Sequence, residues 1–123
     1  MQLVGRNLST GTAFPVEAFS HLEGLTINDV TLHADPSSPR AIVKLHLLSR
    51  LGNIPLSNPV ALSAEVQVHV LDPFTGRSVY PRFYSDWTLS SWAEIPRELD
   101  LGTPMSAIYF ASPVSMSVVI SAP

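Results

Sequence analysis

The chain reads as an all-β protein: a single-domain antiparallel β-sandwich or jelly roll of about seven or eight strands. Residues 1–24 would form an N-terminal arm or first strand, and 25–123 the sandwich. Three observations predict this. Apolar residues recur with a period of two in several segments. Clusters of Pro, Gly, Asn and Asp separate those segments at roughly ten-residue spacing. The chain has 123 residues and 46% hydrophobic content, which suits one domain with its own core.

The strands follow in order. Leu3 to Leu8 is a possible first strand or arm. In the next segment Leu25 and Ile27 share one parity, while Val30 and Leu32 share the other. The switch at Asn28-Asp29 predicts a β-bulge. Asp35-Pro36-Ser37-Ser38-Pro39 then forms a turn. Ala41, Val43, Leu45 and Leu47 line one face of a second strand, and its other face, with Ile42 and Leu48, is partly apolar too. Val60, Leu62, Ala64, Val66, Val68 and Val70 give the longest alternation, a half-buried strand over 60–71. Antiparallel pairing of 41–48 with 60–71, with matched apolar faces, would set Val43 beside Val66 and Lys44 beside Glu65.

Asp72-Pro73-Phe74-Thr75-Gly76 predicts a hairpin loop. Ser78 to Tyr84 follows as an edge or bulged strand, because Pro81 lacks a ladder donor. Ser91-Trp92-Ala93-Glu94 has capping-box spacing, and Pro96 limits any helix there to about one turn. Ala107 to Ala111 is expected to be a short apolar strand. Val114, Met116, Val118 and Ile120 alternate with Ser115, Ser117, Val119 and Ser121 in a last clear strand.

Composition removes several functions. Without cysteine there are no disulfides, thiolate metal sites or cysteine nucleophiles. A net charge of −3 and a pI near 5.7 give no basic field for nucleic acid. Residues 1–24 lack the apolar core of a signal peptide. No stretch approaches the roughly 18–20 apolar residues of a membrane helix. The expectation is a protein made in the cytoplasm, with no membrane partner. Asn7-Leu8-Ser9 fits a glycosylation sequon, read as chance in a chain without a leader.

No motif carries catalysis. His21, His33, His46 and His69 show no metal-ligand spacing, although His33 and His46 would approach in a hairpin. Glu94, Glu98 and Asp100 beside Arg97 match a solvated, partly paired surface better than an acid–base pair. Nucleophile elbows, phosphate loops and calcium loops are all missing. The expectation is a protein that is not an enzyme and has neither cofactor nor metal.

Two features point to contacts instead. Six of the ten aromatic residues (Phe74, Tyr80, Phe83, Tyr84, Trp87, Trp92) fall between 74 and 92, with Arg77 and Arg82 among them. Such a mix marks interfaces or sugar-stacking platforms. No charged residue follows Asp100, so the last strand is an unguarded edge unless it is central or paired with another subunit. The candidate contact residues are Phe14, Phe19, Arg77, Tyr80, Arg82, Tyr84, Trp92 and Val119. They favour a non-enzymatic structural protein that assembles as a homo-oligomer, a trimer by preference, or with other proteins of a particle. A virion component, such as a phage head-decoration, cement or tail protein, has this makeup by analogy of architecture. The alternatives are a carbohydrate-binding module that stacks sugars on Trp92, Tyr80 or Tyr84, and a small cupin-like β-barrel enzyme.

Overall fold

The computed structural model describes residues 2–122. The chain is all-β, and the described residues form nine strands: β1 (Gln2–Asn7), β2 (Ala13–Ser20), β3 (Leu25–His33), β4 (Ile42–Ser49), β5 (Pro55–Leu71), β6 (Ser78–Val79), β7 (Arg82–Ser91), β8 (Glu98–Gly102) and β9 (Ser115–Ser121). Two short 3-10 helices lie at Trp92–Glu94 and Ala107–Phe110. The strands join one curled sheet in the order β6-β5-β9-β2-β1-β3-β4-β8, with β7 also on β5.

This corrects the expected antiparallel sandwich in two ways. The sheet is a half-barrel that buries its apolar face by curling, where a sandwich would bury it against a second sheet. It is also mixed, since β1 runs parallel to β3 and β2 parallel to β9. The expected pairing of 41–48 with 60–71 does not form. Val43 lies between Leu32 and Leu101, Lys44 between Thr31 and Asp100, and Val66 between Phe83 and Val118. The reason is physical. Alternation fixes which face a residue points to, but leaves its neighbouring strand open. The short turn between β3 and β4 closes at low entropic cost, and β8 takes the other edge of β4.

The parities themselves hold except at two ends: Val114, before β9, is exposed, and Val60 is half-buried. Ala41, Val43, Leu45 and Leu47 are buried, as are Leu62, Ala64, Val66, Val68 and Val70, and Met116, Val118 and Ile120. The β3–β4 register slips between Ile27 and Asp29, so Asn28 is the extra residue of the expected bulge. Asp29 Oδ1 accepts the Val30 N–H there at 2.9 Å. In the turn beyond β3, Asp35 accepts the Ser37 N–H at 3.0 Å and the Ser37 hydroxyl at 2.8 Å. Those bonds, the backbone one first, hold its carboxyl below the usual carboxylate range. Pro81 divides the expected strand 78–84 into β6 and β7, both on the same side of β5.

Ala107 to Ala111 is not a strand. It turns as a 3-10 helix, which puts Ala107 and Phe110 on one side, and both are buried. A run of apolar residues this short fits either state. Here Phe110 joins the buried core of the half-barrel.

Residues 2–20 build the middle of the sheet. β1 and β2 form a hairpin between β9 and β3, and Phe14 and Val16 join the core. Gly5 faces Phe14 in register, and a Cβ there would run into the Phe14 ring and Val16. Asn7, fully buried, has a structural task at the end of β1. Its Nδ2 donates to Ala34 O and Ala111 O at 3.0 Å each, and its Oδ1 accepts from Ser9 N (3.0 Å) and Ala34 N (3.1 Å). The sequon side chain is therefore used inside the fold, tying β1 to the chain after β3 and to the end of the second 3-10 helix.

Candidate contact face

The outer face of β2, β9, β5 and β7 brings five of the eight contact candidates together. Cross-strand register arranges their outward side chains in rows. One row runs Phe19, Val119, Glu65, Tyr84. The next runs Gln2, Glu17, Ser117, Gln67, Arg82. Val4 pairs with Pro15, and Ser115 with His69, whose ring stacks on Tyr80 at 4.6 Å. Thus Phe19, Tyr80, Arg82, Tyr84 and Val119, drawn from separate parts of the chain, share one surface.

That surface is open. Tyr84 is 73% exposed, Val4 72%, Tyr80 57% and Phe19 47%. Between them lies a shallow groove of about 430 Å3 lined by Phe19, Gln67, His69 and Tyr80 among others. His69 Nε2 and Ser78 Oγ are 2.9 Å apart, which steadies the imidazole against Tyr80. Arg82 Nε lies 3.5 Å from Glu65 Oε1. Both groups are exposed, so the pair orients Arg82 more than it stabilises the fold.

The other three candidates lie elsewhere. Phe14 is 2% exposed and packs inside, so its part is in the core and not in a contact surface. Arg77 sits at the end of the β5–β6 hairpin, where its carbonyl accepts the Asp72 N–H at 2.8 Å. Trp92, half-buried, lines a different cleft of about 620 Å3 with Asn28, His46, Asn53, Arg97 and Glu98. Trp92 therefore does not share a stacking platform with Tyr80 and Tyr84. The capping box is also displaced by one residue. Ser91 Oγ accepts the Ala93 N–H at 3.2 Å, whereas Glu94 accepts the N–H and hydroxyl of Ser90.

One cluster was not legible before the register was known. Thr31 Oγ1 lies 3.2 Å from His46 Nε2, and His46 Nδ1 lies 3.5 Å from Glu98 Oε1. Lys44 Nζ approaches Glu98 at 4.0 Å. The order hydroxyl, imidazole, carboxylate is that of a nucleophilic relay. However, Thr31 pairs with Arg6 on one side and Lys44 on the other. The ladders engage the backbone donors of Thr31 and His46. The cluster fastens β3, β4 and β8 together on the outer face. His33 does not join it, because it pairs with Ile42 while His46 pairs with Asp29.

Among the described residues no three of His, Asp and Glu converge as a metal would need, and no helix is long and apolar enough to cross a membrane. Compared with protein-family models, curated proteins and solved structures, the chain matches none.

Proposed function

We propose that this is a non-enzymatic structural protein that works by protein–protein contact and assembles with copies of itself. The observation that supports it is the gathering of Phe19, Tyr80, Arg82, Tyr84 and Val119 on one open face. Exposed aromatic side chains with an arginine among them are the composition of contact surfaces. A monomer leaves that apolar area in water, and contact with another protein surface covers it. The setting this reading favours is a virus or phage particle, in a head-decoration, cement or tail position. Neighbouring capsid, portal or tail genes support that setting, and a metabolic operon overturns it. Sedimentation equilibrium tests the assembly itself. The expected result is a species larger than the 13.3 kDa chain. Monomers at every concentration overturn the self-assembling reading.

The Trp92 cleft favours a second reading, a carbohydrate-binding module. A half-buried indole with amides from Asn28 and Asn53 and the imidazole of His46 is a set that stacks and hydrogen-bonds a sugar ring. A glycan array with Trp92→Ala as control decides it. Glycans retained by the wild type and lost by the variant support the module, and no binding to any glycan counts against it.

A further inference from the structure

The free edge of β7 carries an inference that deepens the assembly reading and rests on it. In the ladder with β5, Val68 N–H donates to Pro81 O at 3.0 Å. Residues of that parity, Phe83, Ser85, Trp87 and Leu89, therefore direct their backbone groups toward β5. Arg82, Tyr84, Asp86 and Thr88 direct theirs away from it. Among the described residues no strand pairs with that side of β7. The edge ends at Ser90, whose N–H is taken by Glu94 Oε1 at 3.1 Å.

The side chains along this edge are self-complementary. Arg82 and Asp86 stand symmetrically on either side of Tyr84, on one face. Among the described residues Asp86 makes no ion pair, and Arg82 reaches only Glu65. We infer that β7 pairs antiparallel with β7 of a second copy, on a two-fold axis through Tyr84. In that register Tyr84 exchanges backbone hydrogen bonds with the partner's Tyr84. Arg82 stands opposite the partner's Asp86, and Asp86 opposite the partner's Arg82. Opposite charges directly across a ladder attract, and like charges repel. Moving the axis to Asp86 or Arg82 sets like charges face to face. Moving it to Phe83 or Ser85 leaves the charges unmatched. Only the Tyr84 axis satisfies the outward backbone groups and both charges together.

The inner face agrees. There the half-buried Trp87 meets the partner's Pro81, and each covers apolar area of the other. The two outer faces then merge into one wider surface across the axis. A contact of this kind is isologous and closes at two copies, so a dimer takes the place of the trimer expected from sequence.

Charge reversal tests the register. Arg82→Asp sets two carboxylates opposite each other, and Asp86→Arg sets two arginines opposite each other. Each single variant is expected to weaken dimerisation by about tenfold or more. The double variant Arg82→Asp/Asp86→Arg restores the pairing and is expected to return to within about threefold of wild type. Sedimentation equilibrium reads the effect, and far-UV circular dichroism verifies the fold of each variant. Amide exchange adds an independent readout: the Tyr84 and Asp86 N–H groups should be protected at high concentration and exchange on dilution. Dimers that persist unchanged in both single variants overturn the β7 edge while leaving assembly through another surface standing. A double variant no better than the single ones overturns the register. A monomeric wild type overturns both the edge and the self-assembling reading.

Discussion

The two edges of the sheet bury similar residues and treat their open sides in opposite ways. Under β7 lie Phe83 and Leu89, and under β8 lie Leu99 and Leu101, all buried. At β8 the Leu47 N–H donates to Arg97 O at 2.8 Å, so residues of that parity face β4. Glu98, Asp100 and Gly102 are the ones turned outward. A second copy added about Asp100 would bring aspartate against aspartate. The edge is short, acidic and self-repelling, a familiar defence against strand addition. At β7 the outward set is Arg82, Tyr84, Asp86. It is longer, holds both signs and reads the same about its centre after a two-fold rotation. What separates a closed edge from a receptive one here is the symmetry of its charges. The apolar content beneath is nearly the same.

That comparison requires inner residues to set stability and outer ones to set association. The largest expected effect tests this with two phenylalanines of β2. Phe14→Ala opens a cavity beside Gly5 and Val16 and should cost about 3–5 kcal/mol of stability in urea unfolding. Phe19→Ala, on the outer face, should change stability by less than about 0.5 kcal/mol. Whatever fraction of Phe14→Ala stays folded should still dimerise as wild type does. If dimerisation instead falls in step with stability, the edges do not act through their outward side chains, and the contrast between them loses its basis.

The division between inner and outer residues was readable in the sequence. The period-two alternation at 41–48, 60–71 and 114–121 specified each buried face apart from its frayed ends at Val60 and Val114, and the parity change at Asn28-Asp29 specified the bulge. Those are properties of one strand at a time. Neighbour choice depends on loop closure and on sheet curvature, which no single strand encodes. For that reason the pairing of Val43 with Val66 failed and the parallel pairs of β1 with β3 and β2 with β9 went unseen. The same gap hid the Thr31–His46–Glu98 cluster, which needs two ladders at once. Asn7 was hidden differently, since a buried asparagine and an exposed sequon share one spelling. The composition of the contact face was legible in Tyr80, Arg82 and Tyr84, but its union with Phe19 and Val119 waited on β9 lying between β2 and β5. Ala107–Phe110 carries no periodicity long enough to choose between a strand and a 3-10 turn.

A smaller effect is expected where the closed edge is opened. The double variant Glu98→Gln/Asp100→Asn removes the self-repulsion at β8 and leaves amides able to hydrogen-bond across a new ladder. Its cost to the fold is small, because Glu98 is half exposed and its contacts with Lys44 and His46 lie at 4.0 and 3.5 Å. With both edges receptive, each copy can extend at two ends, and pairing no longer closes at the dimer. Light scattering should therefore show species larger than the dimer proposed through β7, growing with concentration. Adding Arg82→Asp to that variant closes the β7 end again, and growth should stop at pairs joined through β8. If the decharged variant keeps the wild-type size, acidity is not what closes β8. The short span from Glu98 to Gly102 would then be the protecting feature, since so few outward backbone groups offer too little hydrogen bonding to hold a second copy.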